Sequence, residues 1–121
     1  MGAVVSTSGG IGRALAATPE TAVANRLRDL LTHRASAARI GRAYLESEPH
    51  EADVGLLVRD LAADWPGGPA ALAELPETTL ARLVSDRTRR DFAEGETVML
   101  DGWVLSRTEL RLCALTAIPV P

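Results

Sequence analysis

Apolar positions along the first two-thirds of the chain recur with a helical period. Val23, Leu27, Leu30 and Leu31 fall at i, i+4, i+7 and i+8, one stripe of an amphipathic helix. Thr18-Pro19-Glu20 stands just ahead of that stripe: a hydroxyl cap, a proline in the first turn and an acid at the positive end of the helix. Ala37, Ile40, Gly41, Tyr44 and Leu45 repeat the spacing up to Pro49, and residues 33–36 are either a break or the interior of one long helix. A third helix is predicted over about residues 51–64, with Val54, Leu57, Val58 and Leu61 inward. Trp65-Pro66-Gly67-Gly68-Pro69 stops it. After a short turn at residues 70–75, Pro76-Glu77 opens a helix that runs to near Gly95, with Leu80, Leu83, Val84 and Phe92 on its buried face.

The pattern then changes. Thr97-Val98-Met99-Leu100 and Trp103-Val104-Leu105 flank Asp101-Gly102, the residue pair best suited to a type I′ hairpin turn. Ser106-Arg107-Thr108-Glu109 has the spacing of a capping box, and a last helix carrying Leu110, Cys113 and Leu115 follows until Pro119. A lone two-stranded hairpin is marginal in water, so it must pack on the helices. The fold class is therefore mostly α: a small helical bundle of four to five helices with one C-terminal β-hairpin near 97–105, in a single domain over 18–121.

Composition narrows the function more than it names it. With 121 residues, 46% of them hydrophobic, and a net charge of −3, the chain can build one core and has no reason to stay disordered. Cys113 is the single cysteine, so a disulfide framework is excluded, and no run approaches the ~20 apolar residues of a membrane span. The basic excess of a general nucleic-acid binder is missing. All 13 basic residues are arginine, the bias of a GC-rich bacterial coding sequence. Six of them lie in residues 1–48 against four acids (+2), and seven lie in the remainder against twelve (−5), a mild asymmetry that solvated helix faces explain.

Residues 1–17 are small, weakly apolar and glycine-rich, and two readings stand: a flexible tail, or the remnant of an export signal with Ala22-Val23-Ala24 as its cleavage site. Val4-Val5-Ser6-Thr7-Ser8-Gly9-Gly10-Ile11-Gly12-Arg13-Ala14-Leu15-Ala16 resembles the cofactor loop of short-chain dehydrogenases. Gly10 and Gly12 align with its last two glycines, but Val5 and Ser6 stand where Thr and Gly belong, and the chain has no Tyr-x-x-x-Lys. Val98 to Leu112 resembles the opening of the winged-helix domain of response regulators, a hairpin followed by L-T-x-x-E-x-x-L. The sequence given ends before a recognition helix, and Arg107 and Arg111 alone make no groove-reading surface.

Other chemistry is thin. His33 and His50 have no partner at ligand spacing, and His50, Glu51 and Asp53 read as a helix start. Cys113 lies on an apolar helix face, where a cysteine acts as a small hydrophobe. Arg87, Arg89 and Arg90 read as a solvated face. Neither a metal nor a cofactor is indicated, and no catalytic residue is singled out.

Across residues 36–118 the chain resembles small bacterial proteins of unassigned function that carry a twin-arginine-type export signal. The resemblance rests on Tyr44-Leu45, Asp91-Phe92 and the D-G-W-x-L-S-x-T-E run from Asp101 to Glu109, while the Arg-Arg n-region is absent from this sequence. It implies a non-catalytic accessory or interaction protein, the small subunit or export partner of a larger oxidoreductase. Its interaction surface would be built from Phe92, Asp101, Gly102, Trp103, Ser106 and Glu109. A periplasmic location follows if the N-terminus is an export-signal remnant, and a cytoplasmic one otherwise. Two alternatives are a truncated winged-helix-like regulatory fragment and a small enzyme using Cys113.

Overall fold

Local capping chemistry decides where the helices start. Thr18 is extended, and its Oγ1 accepts the Thr21 N–H at 3.1 Å, which opens α1 (Pro19–Asp29) where the proline–acid pair predicts it. The chain breaks at residues 30–33, so that α2 (Arg34–Ser47) is a separate helix. A 3₁₀ turn (Pro49–Glu51) follows. Asp53 then accepts the Leu56 N–H at 2.8 Å and opens α3 (Val54–Leu61), so the helix predicted from residue 51 begins three residues later. The computed structural model describes residues 18–119. The tail at 1–17, with both of its readings and the glycine-rich loop that resembles a cofactor loop, lies outside the described residues.

The segment at 70–75, expected as a turn, is the end of a seven-residue helix, α4 (Gly68–Glu74). Pro69 sits in its first turn, where the missing N–H would have no intrahelical partner anyway. The prolines and glycines that end α3 thus also start α4. Next come α5 (Glu77–Glu94), β1 (Thr97–Leu100), β2 (Trp103–Ser106) and α6 (Arg107–Ala117), giving six helices and one hairpin among the described residues. The architecture is mostly α, as the periodicity predicts.

The core runs between α1, α3 and α6. Val23, Leu27, Leu57, Val58, Leu110 and Leu115 are all buried there, with Tyr44 from α2 and Leu80 from α5. α6 is the central element and packs against α1, α2, α3 and α5. The closest approach is to α2. At Gly41 a Cβ would stand 2.2 Å from the Cys113 carbonyl oxygen, so the two backbones are nearly in contact. Ala22-Val23-Ala24, the cleavage-site candidate, lies inside α1 with Val23 and Ala24 in the core.

Phe92 departs from the pattern. Expected on the buried face of α5, it is 48% exposed, and Asp91 points inward in its place. The stripe Leu80, Val84, Arg87, Asp91 keeps helical spacing, and its last two positions are polar. Each is satisfied by a neighbouring element. Asp91 Oδ2 accepts the Thr108 N–H of α6 at 2.8 Å, and Arg87 Nη1 donates to the carbonyls of Asp60 (3.1 Å) and Leu61 at the end of α3.

Three arginines act in this way on the C-terminal carbonyls of other helices, which have no intrahelical partners. Arg26 of α1 donates to Leu72 (2.8 Å), Ala73 (3.1 Å) and Leu75 at the end of α4. Arg28, buried, donates to Leu115 (2.7 Å) and Ile118 (3.2 Å) at the end of α6. Arg87 does the same for α3. A guanidinium is well suited to this, because several donors on one planar fork also bring positive charge to the negative helix end.

The hairpin has the predicted register: Val98 opposite Leu105, Met99 opposite Val104, and Leu100 opposite Trp103. Asp101 (φ 52°) and Gly102 (φ 84°) both have positive φ, as a type I′ turn requires. Open space surrounds Gly102, so a side chain there meets backbone strain alone. Gly102→Val should therefore cost about 2 kcal/mol without any packing clash. Urea unfolding of that variant measures it, and an unchanged midpoint would mean the turn is of another type.

Candidate functional site

Cross-strand partners share a face of the hairpin. Val98, Leu100 and Leu105 pack against the core, which turns Met99 and Val104 to the opposite face. Met99 is 71% exposed, Val104 50%, and Trp103, at the tip, 72%. Together with Phe92 these are the exposed large hydrophobic residues among those described. The chain has only four aromatic residues, and two of them, Phe92 and Trp103, are spent on its surface.

The other residues expected at this surface have backbone roles. Asp101 and Gly102 form the exposed turn that holds Trp103 at the tip. Ser106 is fully buried. Its Oγ accepts the Glu109 N–H at 3.0 Å while Glu109 Oε1 accepts the Ser106 N–H at 3.0 Å, completing the predicted capping box. Ser106 and Glu109 therefore fix the angle between hairpin and α6. Met99 and Val104, which alternation places together on one face, take their place in the exposed group.

Behind the hairpin lies a polar cluster that the periodicity gives no sign of. Glu51, expected as a helix-start acid, is instead buried. Its Oε1 accepts Tyr44 Oη–H at 2.8 Å and Arg111 Nε–H at 3.1 Å, and its Oε2 lies 3.4 Å from Arg111 Nη2. Arg107 Nη1 donates to Tyr44 Oη at 3.1 Å and lies 4.0 Å from Glu48, while Arg111 also reaches Asp60 at 3.7 Å. Burial opposes ionisation of Glu51, but hydrogen bonds from Arg111 and Tyr44 and the charges of both arginines outweigh it. The carboxyl is therefore held below its ordinary range. Burial raises the Tyr44 phenol.

No protein family, curated protein or solved structure matches the chain. The functional reading therefore rests on the geometry and on the sequence pattern.

Three chemical readings can be set against that geometry. Glu48, His50 and Glu51 bring one ligand atom each within 4.8 Å of one another, the grouping among the described residues that could hold a metal ion. The guanidinium groups of Arg107 and Arg111 already stand on the same carboxylates, so a cation would have to compete with two fixed positive charges. Those contacts also keep both arginines facing Glu51 and Glu48, where they make no free phosphate-binding surface. Burial, with the nearby Glu109 charge, pushes the Cys113 thiol up to about 11, which leaves almost no thiolate at neutral pH. No helix among the described residues is long and apolar enough to cross a membrane.

Proposed function

We propose that this is a non-catalytic interaction protein that docks on a larger partner through the outer face and tip of its C-terminal hairpin. One observation carries the reading: Met99, Trp103 and Val104 are at least half exposed on a single hairpin, in a chain whose core is filled mainly by leucine, valine and alanine. Scattered exposed apolar residues are ordinary, whereas a cross-strand pair of large ones, Met99 and Val104, with a tryptophan at the tip of the same hairpin is what interface anchors look like. The hairpin is also rigidly mounted, through the capping box and the Asp91–Thr108 bond, so little conformational freedom is lost when it docks.

The partner offers an apolar pocket for Trp103 with a polar rim. Identifying it as an oxidoreductase rests on the resemblance to small exported bacterial proteins alone. The test pairs the wild-type chain with a Met99→Ser/Trp103→Ser/Val104→Thr variant in affinity capture from separated periplasmic and cytoplasmic fractions of native cells. The three side chains are exposed, so stability should change by no more than about 0.5 kcal/mol per site. A stoichiometric partner held by the wild type and lost by the folded variant supports the proposal and gives the compartment. Equal capture by both chains, or a wild type that stays monomeric and alone, overturns it.

A further inference from the structure

We propose that the open edge of β1 pairs with an extended segment of the partner, an antiparallel strand of β-branched, mainly apolar residues with a basic residue at each end. The inference rests on the docking reading above for the existence of a partner and adds how that partner is held. The ladder itself exposes the edge. A two-residue type I′ turn closes on a hydrogen-bonded pair, here Leu100 and Trp103, and bonded and non-bonded pairs alternate from there. Met99–Val104 and Thr97–Ser106 are therefore non-bonded pairs, whose N–H and C=O groups turn away from the opposite strand. Ser106 agrees with this, since its N–H goes to Glu109 Oε1 and not to Thr97. On the β2 side the outward row is thus partly used by the capping box that starts α6. On the β1 side the backbone groups of Thr97 and Met99 have no further partner among the described residues. β2 packs on α5 and α6, whereas the element lying along β1 is β2.

Such an edge is a template for another strand, and sheets blunt the edges they leave free with a charge, a proline or a bulge. Thr97-Val98-Met99-Leu100 has no charge and no proline, and its register with β2 is unbroken. Outward groups on every second residue fit the ladder of an added strand, which is how open sheets take up extended peptides. An incoming strand would lie beside Met99 on one face and beside the half-buried Val98 and Leu100 on the other, so both of its faces favour apolar side chains. Charge sets its ends. Glu96 and Asp101 flank β1, both are exposed, and neither has an ion-pair partner among the described residues. Antiparallel pairing of two β1 strands would bring Glu96 of one copy near Asp101 of the other, whereas a basic-ended strand turns both acids to advantage.

The probe is a labelled, end-capped peptide, Arg-Val-Thr-Val-Thr-Val-Arg, titrated with the full chain and read by fluorescence anisotropy. Strand pairing uses every second peptide N–H. N-methylation of either its valines or its threonines should therefore abolish binding, and methylation of the other set should leave it within about twofold. Glutamate in place of both arginines should weaken binding about fivefold at low salt. Met99→Pro removes an outward N–H and no ladder bond, as an edge strand tolerates. It should weaken the peptide about tenfold, with Met99→Val staying within about twofold of the wild type. If Met99→Pro does not fold, the two methylated peptides decide alone. The proposal is overturned by no saturable binding, by methylated sets that act alike, by equal binding of the acidic-ended peptide, or by a folded Met99→Pro that matches Met99→Val. Sedimentation showing a dimer of the chain that Met99→Pro abolishes would give the edge to a second copy and overturn it as well. Cellular capture separates the two readings: a partner lost by Met99→Ser/Trp103→Ser/Val104→Thr but kept by Met99→Pro leaves docking standing and removes the edge from it.

Discussion

Gly41→Ala should be among the most damaging single-methyl additions in the protein. The added Cβ would stand 2.2 Å from the Cys113 carbonyl oxygen, 2.5 Å from its carbon and 2.8 Å from the Ala114 nitrogen. All three are backbone atoms of α6, so no side chain can rotate out of the way and the two helices must part. Separation would loosen the most extensive helix pair in the fold and open the layer around Leu110 and Ala114. The expected loss is about 3 kcal/mol, or roughly 10 °C in Tm for a domain of this size. Gly55→Ala is the milder comparison: its Cβ meets side chains alone, the capping oxygen of Asp53 at 3.2 Å and the flexible end of Arg59 at 3.3 Å, which can give way by a few tenths of an ångström, and alanine is the better helix former. Calorimetry of both variants decides the matter. Equal, small effects would show that α2 and α6 do not approach this closely.

What the sequence discloses divides along the range of the interactions. Caps and turns are local: Thr18 before Pro19, Asp101-Gly102 and Ser106…Glu109 are each read within four residues, and each forms as predicted. Gly41 is legible as a member of an apolar stripe, but its reason is a second helix some seventy residues away. The failures are polar residues at core positions. Phe92 looks like the last inward residue of α5 because it is apolar, yet the helical period selects Asp91, whose partner is a backbone N–H of α6. Glu51 looks like a helix-start acid because acids are favoured at the positive end of a helix, yet Arg111 reaches it from α6, 60 residues away, and Tyr44 of the preceding helix links it to Arg107. Arg87 reads as a solvated face until α3 ends against it. The period marks the positions of Arg87 and Asp91, but it cannot tell that a charge is tolerated there, since a buried charge is allowed only by the partner that meets it. The exposed hairpin shows the converse: alternation in β1 and β2 tells which residues share a face and leaves open whether that face is covered.

Glu51→Ala should cost about 3 kcal/mol at neutral pH, because it takes from the largely buried Arg111 its hydrogen-bonded carboxylate and leaves only the more distant Asp60, 3.7 Å away. Arg111→Ala alone should also destabilise, and the double variant should cost clearly less than the sum of the two. That non-additivity is what a coupled pair gives in a double-mutant cycle. The sign of the pH dependence follows from the depressed folded-state pKa. Glu51 binds a proton less readily when folded, so its contribution is fully present above the unfolded carboxyl value near 4.3 and is lost as pH falls through the lower folded value. The gap between wild type and Glu51→Gln should therefore be constant from neutral pH down to about 5 and close below about 4. Urea unfolding across that range reads it; a gap that widens on acidification, or a cost for Glu51→Ala under about 0.5 kcal/mol, would show that the carboxylate is not held by its arginines. The cluster bears on the proposed docking as well. Arg107 and Arg111 occupy the first turns of α6, immediately after β2, and through Tyr44 and Glu51 they tie that end of the helix to α2 and the 3₁₀ turn. Loosening them frees the mount of the hairpin while its apolar face stays unaltered. Partner capture by Glu51→Ala should therefore weaken even under conditions where the chain remains folded.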